Sequence, residues 1–291
     1  MIARAAFVPA TVGVIAVVTG TSVGCGDERS PSSETAPHVD AAAAPVDAGA
    51  DVSAREAAAD PDPDGPGLHG TVVDESGKPL GDHSVTLCSA SVCQFTTSGP
   101  TGRFVFPVPA TGTQFLLKTQ EDFASMPARG SAILPVHLSG EERLDLGELF
   151  VPALPTIVPL GPTADDPQTL QVGDGLELTL RRADLLGPLG GRDDIVAARA
   201  LPLERATALA KLGVPEPIGA FALSPHGMTS SSKMRVRLPT TLAAGTQVKL
   251  YTIGDLDGAL SAPIVAVSDG SKLATAAGEG ITELTWLILS K

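Results

Sequence analysis

Aromatic residues and positive charge are both scarce in this sequence. Aromatics make up 3% of the residues, with one tryptophan and one tyrosine, so a sugar-binding groove built from several stacking rings has little material available. Acidic residues outnumber basic ones by 33 to 20, which gives a formal net charge of -13. Because binding a phosphate backbone requires a basic face, we exclude nucleic acid as a partner.

Recognisable catalytic motifs are also missing. The sequence contains neither H-E-x-x-H nor G-x-S-x-G, and no two histidines have the close spacing of a helical zinc site. The histidines are His38, His69, His83, His137 and His226. His226 is a weak candidate for a ligand or a base, although a histidine that holds a turn by hydrogen bonds is the more ordinary interpretation. We therefore predict a non-catalytic protein without a cofactor.

The first 24 residues have the three parts of a secretory signal peptide. Arg4 is the only charged side chain ahead of Cys25, and residues 5–18 form an apolar run. As a helix this run would be about 21 Å long, which is shorter than the ~30 Å hydrocarbon core of a bilayer. Residues 1–24 therefore predict export rather than a spanning anchor.

Four residues at the end of this segment, Ser22, Val23, Gly24 and Cys25, resemble the lipobox of bacterial lipoproteins. In that family the cysteine thiol is acylated and the cysteine becomes the mature N-terminus. The resemblance implies lipidation of Cys25, the lipid bilayer as a partner, and a location at the bacterial outer membrane or cell envelope. The alternative is cleavage by the general signal peptidase, for which Ser22 and Gly24 are also suitable, and it would leave a secreted or periplasmic protein.

Residues 25–66 are predicted to form a disordered acidic linker rich in Ala, Pro and Asp. Residues 26–66 carry ten acidic and two basic side chains and almost no large apolar ones. Such a segment buries too little apolar surface to offset the entropy lost on ordering. The linker would therefore separate the acylated cysteine from the folded part of the chain.

Asp60, Asp62 and Asp64 lie within this linker and, with Gly65, copy the D-x-D-x-D-G opening of an EF-hand calcium loop. The twelfth position of that loop, which needs a glutamate, is Thr71 here. We therefore interpret the motif as linker and keep the three aspartates only as weak candidates for a metal.

From residue 68 onwards the sequence changes to short strands separated by turns. Val85 and Leu87 recur with a period of two, as do Phe104 and Phe106, which is the pattern of half-buried strands. We predict an all-β fold made of two β-sandwich domains. Only the segment LPLERATALAKLG has helical periodicity, with Gly213 as its stop.

The first of these domains, residues 67–152, carries two glycine-containing strand motifs. A G-x-V-x-D-x-x-G-x-P-L pattern precedes a G-x-F-x-F strand, and the matching residues are Gly70, Val72, Asp74, Gly77, Pro79, Leu80, Gly102, Phe104 and Phe106. These motifs resemble the carboxypeptidase regulatory-like domain, a seven-stranded transthyretin-like (prealbumin-like) sandwich. The resemblance implies a structural or recognition module that performs no chemistry itself.

Cys88 and Cys93 flank a four-residue segment in this domain. Two strands joined by such a loop place the cysteines opposite each other, at a separation suited to a disulfide. The predicted export supports oxidation. The alternatives are two free thiols or half of a metal site, and the sequence offers no second ligand pair for the latter. We predict a disulfide.

The second domain, residues 153–291, contains the strictly alternating segment KMRVRLP. Lys233, Arg235 and Arg237 share one face and are weak candidates for a positive binding patch, although a solvated strand face is the commoner outcome. Residues 220–239 resemble a ZU5-type β-sandwich through a Pro-His-Gly turn and a closing Leu-Pro, and an immunoglobulin-like sandwich of another family is the alternative. The ZU5 resemblance implies a protein-interaction or surface module.

Asp255, Asp257 and Gly258 form the remaining candidate cation site, in a loop between two predicted strands. Aspartate and glycine at such positions are typical of a hairpin turn, which is the favoured interpretation. We therefore predict no metal site in this domain either.

The leading functional hypothesis is a non-catalytic, lipid-anchored protein of the cell envelope that uses its β-sandwich modules for binding or surface structure. Its partner would be an unidentified protein or glycan. The alternative is an accessory subunit that recognises a peptide or a polysaccharide for a separate secreted enzyme. A hydrolase whose site is assembled from scattered residues is a third and weaker hypothesis.

Overall fold

Short strands account for more than half of the residues that a computed structural model of the chain describes. The structure describes residues 60–62, 65–89, 91–107, 114–138, 143–162, 166–187, 194–205 and 207–291. The predicted acylation site, Cys25, and the third aspartate of the linker motif, Asp64, lie outside the described residues. Within those residues, no helix has the length and apolar character needed to cross a membrane.

The described strands before residue 155 form what we call the sandwich. They are β1 (Gly67–Val73), β2 (Ser84–Cys88), β3 (Cys93–Thr97), β4 (Arg103–Phe106), β5 (Gln114–Thr119), β6 (Ala128–Arg129), β7 (Ile133–His137), β8 (Arg143–Phe150) and β9 (Ala153–Leu154). One sheet has the order β4-β1-β8, with β1 and β8 parallel, and the other has the antiparallel order β3-β2-β5-β7. β6 and β9 pair with each other.

The described strands after residue 155 form what we call the larger sheet. They are β10 (Ile157–Pro159), β11 (Gln168–Gly173), β12 (Leu176–Leu180), β13 (Leu185–Leu186), β14 (Ile195–Ala200), β15 (Pro217–Ser224), β16 (Met228–Pro239), β17 (Gln247–Thr252), β18 (Ile264–Ser268), β19 (Lys272–Thr275), β20 (Ile281–Leu284) and β21 (Trp286–Ser290). The main path runs β10-β14-β15-β21-β17-β18-β19-β16-β12-β11, and β13 and β20 both pair with β16. A 3-10 helix (Arg182–Asp184) and a short α-helix, α1 (Thr207–Leu212), complete this part.

Local sequence patterns explain these elements. In β16, Met234 and Val236 are buried and Arg235 between them is exposed, as period-two alternation predicts. α1 lies inside the segment predicted to be helical and buries Leu209. Gly213 follows it with a φ of +65°, the left-handed conformation that commonly ends helices.

One hydrophobic core extends from the sandwich into the larger sheet. Phe104 and Phe115 of the sandwich belong to the same cluster of buried side chains as Trp286 and Ile288 of the larger sheet. Residues Ala54–Lys291 accordingly form one compact unit. The all-β prediction is confirmed. The division into two separate sandwich domains stays a prediction.

Polar contacts also join the two parts. The indole Nε1 of Trp286 donates a hydrogen bond to the Ser131 carbonyl at 3.0 Å. The side-chain amide of Gln114 donates to the Asp257 carbonyl, also at 3.0 Å. Gly258 lies so close to the sandwich that a Cβ there would be 3.3 Å from a side-chain atom of Leu116. The loop that carries residues 255–258 is therefore fixed against β5.

The two cysteines of the sandwich face each other across a hairpin. Cys88 and Cys93 are direct partners in the register of β2 and β3, and the structure joins them by a disulfide. This is the pairing that the four-residue loop between them predicts.

Candidate functional site

A groove of about 900 Å³ opens between the sandwich and the larger sheet. One wall is the outer face of β2 and β3 together with the end of β5, and it continues into residues 120–123. The other wall consists of the turn at residues 226–227 and the loop at residues 255–256, with a contribution from residue 187. We refer to this space as the groove.

Strand alternation determines which side chains of the sandwich line the groove. In β2, Val85 and Leu87 point into the core, whereas Ser84, Thr86 and Cys88 line the groove. The sandwich therefore presents hydroxyl groups and the disulfide to this space.

On the opposite wall a glycine permits close contact between a turn and a loop. Gly227 has a φ of +80°, and a Cβ there would lie 3.0 Å from the carboxyl carbon of Asp255. The side chain of His226 is 5% exposed, and its Nε2 is 2.9 Å from Asp255 Oδ1. The Lys118 ammonium of β5 lies 2.6 Å from the same oxygen. Asp255 is therefore held by groups from both walls.

The ionisation of these groups follows from burial and their neighbours. Burial lowers the pKa of His226, so the imidazole is neutral at neutral pH, although contact with Asp255 opposes this shift. Burial alone would raise the pKa of Asp255, but the adjacent His226 imidazole and the charge of Lys118 hold it below its usual range. The centre of this wall is thus an aspartate–lysine ion pair beside a neutral histidine.

Among the described groove carboxylates, Glu121 is the one whose negative charge is least stabilised by its neighbours. Its pKa is raised to about 7, chiefly by burial and to a smaller extent by the charge of Asp255, while the nearby Ser224 hydroxyl, the His226 backbone and the charge of Lys118 oppose the rise. Its Oε1 atom is enclosed and has no well-aligned hydrogen-bond partner among the described residues. An unpaired buried carboxylate oxygen is unusual in folded proteins.

A second carboxylate with a raised pKa lies behind Asp255. Burial, followed by the charge of Asp255, raises the pKa of Glu283. Its Oε1 accepts a hydrogen bond from the Asp255 backbone N–H at 3.3 Å. Glu121 and Glu283 are thus both influenced by the charges of Asp255 and Lys118, and Glu283 also by the charge of Asp257.

Among the described residues, Ser224 and His226 are not arranged as an activated nucleophile. Ser224 Oγ has no hydrogen-bond partner in the described part of the chain, and neither ring nitrogen of His226 has a well-aligned one, despite the short distance to Asp255. A serine activated by histidine requires a hydrogen bond between those two side chains. The described residues also contain no group of three or more His, Cys, Asp or Glu side chains able to hold a metal ion.

The basic residues predicted as a binding patch lie on β16, outside the described lining of the groove. Lys233 Nζ is 2.6 Å from a carboxylate oxygen of Glu279. Arg235 donates to the Thr275 carbonyl, and Arg237 Nη1 is 3.5 Å from Glu177. All three basic side chains thus already contact a partner within the chain.

The aspartates predicted as weak metal candidates have separate contacts. Asp60 accepts a hydrogen bond from the Thr101 backbone N–H at 3.1 Å, and the Asp62 carbonyl accepts one from Gly65. Asp257 accepts from the Ala259 backbone N–H at 2.9 Å, as in a turn.

Of the site residues considered from sequence, Cys88, Cys93, His226 and Asp255 line the groove. Glu121, Glu283 and Lys118 were not identified, because their neighbours in sequence carry no motif. The only signal was a lysine directly after the apolar residues FLL of β5.

No protein-family model matches this sequence, and no curated protein matches it significantly. The resemblances to bacterial lipoproteins, to the carboxypeptidase regulatory-like domain and to the ZU5-type sandwich therefore stay predictions.

Proposed function

We propose that this protein is a non-catalytic binding protein of the bacterial envelope and that the groove is its ligand site. The observation that carries the proposal is the groove itself. Its volume of about 900 Å³ lies within the range of roughly 300–1,000 Å³ that is usual for ligand sites. Polar side chains converge at one end, which is how such sites fix the orientation of a ligand.

Exposed apolar side chains at the rim support this proposal. Phe95 is 77% exposed and Leu256 is 52% exposed, and both line the groove from opposite walls. Ligand sites are commonly lined by apolar and aromatic side chains, against which a ligand packs. Ser84 and Thr86 add hydroxyl groups that both donate and accept hydrogen bonds.

We further propose that acylated Cys25 attaches the protein to a membrane and that residues 26–66 act as a tether. Two or three acyl chains, at ~0.8 kcal/mol per buried CH₂, are sufficient for stable attachment. A flexible coil of this length has an end-to-end distance of about 35 Å, and its repelling acidic charges extend it further. The groove would then stand clear of the lipid headgroups.

The alternative, an accessory subunit that recognises a peptide for a secreted enzyme, is favoured by one observation. Among the strands that the structure describes, β3 pairs only with β2, and its residues line the groove. A free strand edge beside a groove can add an extended peptide through backbone hydrogen bonds.

Mass spectrometry of the mature N-terminus tests the anchor. We expect an acylated Cys25 as the first residue, and we expect Cys25→Ala to abolish the lipid modification and membrane recovery. An unmodified N-terminus at another position would contradict the anchor without bearing on the groove.

A ligand screen by thermal shift, with a panel of peptides and oligosaccharides, tests the groove. Thr97→Trp adds bulk at an exposed groove position, and Val265→Trp is the matched control on an exposed strand position outside the groove lining. A ligand of the groove should raise the melting temperature of the wild type and of Val265→Trp but not of Thr97→Trp. The proposal would be contradicted if a ligand also stabilised Thr97→Trp, or if neither the peptides nor the oligosaccharides bound the wild type.

A further inference from the structure

We propose that the groove recognises an alkylammonium or guanidinium group through Glu121. This inference rests on the proposed function, because it names the ligand chemistry of the same groove. Such a cation has two available sources, a lysine or arginine side chain of a peptide and a free polyamine.

The first argument is the charge balance of the groove. Asp255 and Lys118 both act electrostatically on Glu121 and on Glu283. Lys118 is committed to Asp255, since its Nζ lies 2.6 Å from Oδ1 and 3.4 Å from the backbone carbonyl of that residue. The buried His226 is neutral and supplies no compensating charge. A ligand cation would therefore enter a site in which two lining carboxylates, those of Glu121 and Asp255, share one ammonium group.

The second argument is that two residues lining this end of the groove carry buried polar atoms without aligned hydrogen-bond partners among the described residues. Glu121 Oε1 is enclosed, and the part of the chain that the structure describes offers it no aligned donor. His226 is more than nine-tenths buried, lines the groove, and likewise has no aligned hydrogen bond from described residues at either ring nitrogen. Leaving such atoms unsatisfied is costly, and a ligand N–H group that reaches Glu121 Oε1 would satisfy that acceptor.

The third argument is the character of the surfaces that lead to Glu121. Phe95 and Phe123 line the groove on the same wall as Glu121. An aromatic face stabilises an ammonium or guanidinium group, and it also packs against the methylene stem of lysine or arginine. A cation on an apolar stem therefore matches both the rim and the charged end.

Isothermal titration of the mature chain tests the inference with three probes. They are a short peptide with two lysines, the same peptide with norleucine in place of lysine, and spermidine. The variant is Glu121→Gln, and Glu279→Gln is the matched control, because Glu279 is an exposed carboxylate paired with Lys233 outside the groove. We expect at least one cationic probe to bind the wild type and Glu279→Gln, and Glu121→Gln to weaken that binding by about tenfold or more.

The pH profile gives an independent readout. Between about pH 6 and pH 8, affinity for the cationic probe should rise in the wild type, because Glu121 loses its proton in this range. Lys118, Asp255 and His226 line the same groove, Glu283 lies beside Asp255, and all four are present in both chains, so the rise should disappear in Glu121→Gln.

The outcomes separate the two proposals. Binding of the lysine peptide alone assigns the cation to a peptide, and binding of spermidine alone assigns it to a polyamine; either supports the inference. Equal binding of the norleucine peptide, unaffected by Glu121→Gln but lost in Thr97→Trp, overturns the cation site and leaves the groove as the ligand site. Cationic binding that is unaffected by Thr97→Trp and by Glu121→Gln overturns both, and so does failure of all three probes together with the wider panel.

Discussion

Glu75 and Glu121 are two carboxylates of the sandwich that lie towards the larger sheet, and they differ in their hydrogen-bond partners. The two oxygens of Glu75 accept hydrogen bonds from Arg199 at 2.8 and 2.9 Å, and one of them also accepts from the Ala153 backbone N–H. Glu121 Oε1 has no aligned donor anywhere in the described ranges. Where a carboxylate serves to join the two parts, the chain supplies a guanidinium group. At the groove it supplies none, and this difference marks Glu121 as a group available to a ligand.

The largest expected effect comes from neutralising Glu121. Its pKa is raised to about 7, so the folded state binds its proton more tightly than the unfolded state does. The wild type therefore loses stability as the pH rises from about 4.5 to about 7, by roughly 3 kcal/mol at full ionisation. Glu121→Gln avoids this loss, and it should be more stable than the wild type at pH 8 and nearly equal to it at pH 4.5.

Urea unfolding of the wild type and of Glu121→Gln at these two pH values measures the effect. Other titrating groups such as His226 are present in both chains, so their contribution cancels when the two free energies of unfolding are subtracted. If the two chains differed in stability by the same amount at both pH values, the pKa of Glu121 would not be raised in the folded state.

A substitution in the turn tests how firmly the opposite wall is held. Gly227→Ala forces a side chain into a φ of +80° and against Asp255, and we expect a loss of about 1–2 kcal/mol from backbone strain, with a further contribution from crowding. Gly245→Ala is the matched control, because Gly245 has a φ of +84° and no atom within 4 Å of its Cβ position. Thermal unfolding should show the larger loss for Gly227→Ala. Equal losses would mean that Asp255 moves freely.

Removing the charge of Glu75 should lower the stability of the protein, whereas removing the charge of Glu121 should raise it at pH 8. Glu75→Gln weakens the paired hydrogen bonds to Arg199, and we expect a loss of about 1 kcal/mol, since both side chains are about one-third exposed and the attraction is screened. Urea unfolding at pH 8 gives the comparison directly. A gain in stability would remove the contrast between the two carboxylates.

The smallest effect is expected at the surface of β16. Lys233 and Glu279 are 2.6 Å apart, but their side chains are 46% and 52% exposed. A double-mutant cycle with alanine at both positions should give a coupling energy below about 0.5 kcal/mol. A coupling above 1 kcal/mol would indicate that this face is more rigid than its exposure implies.

Local features of the fold were predictable from the sequence. Period-two alternation identified β2, β4 and β16, the spacing of Cys88 and Cys93 identified a hairpin pair, and helical periodicity ending at Gly213 identified α1. Each of these depends on residues a few positions apart, so the physical signal lies within one window of the chain.

The groove was not predictable in this way. Glu121, His226, Asp255 and Glu283 come from four separate loops and strands, and their approach depends on how the sandwich packs on the larger sheet. The shared core was missed for the same reason: Trp286 carries the pattern of an ordinary strand residue, and only the fold brings it to Ser131. Long-range packing of this kind leaves no periodicity in a single sequence.

Trp286 has a practical value beyond packing. It is the only tryptophan in the chain, it is 2% exposed, and its indole donates to the carbonyl of Ser131, which lines the groove. Indole emission moves to longer wavelengths when water reaches the ring. The chain therefore carries a built-in optical reporter, so separation of the two walls, or a ligand that alters their contact, can be followed by intrinsic fluorescence without any added label.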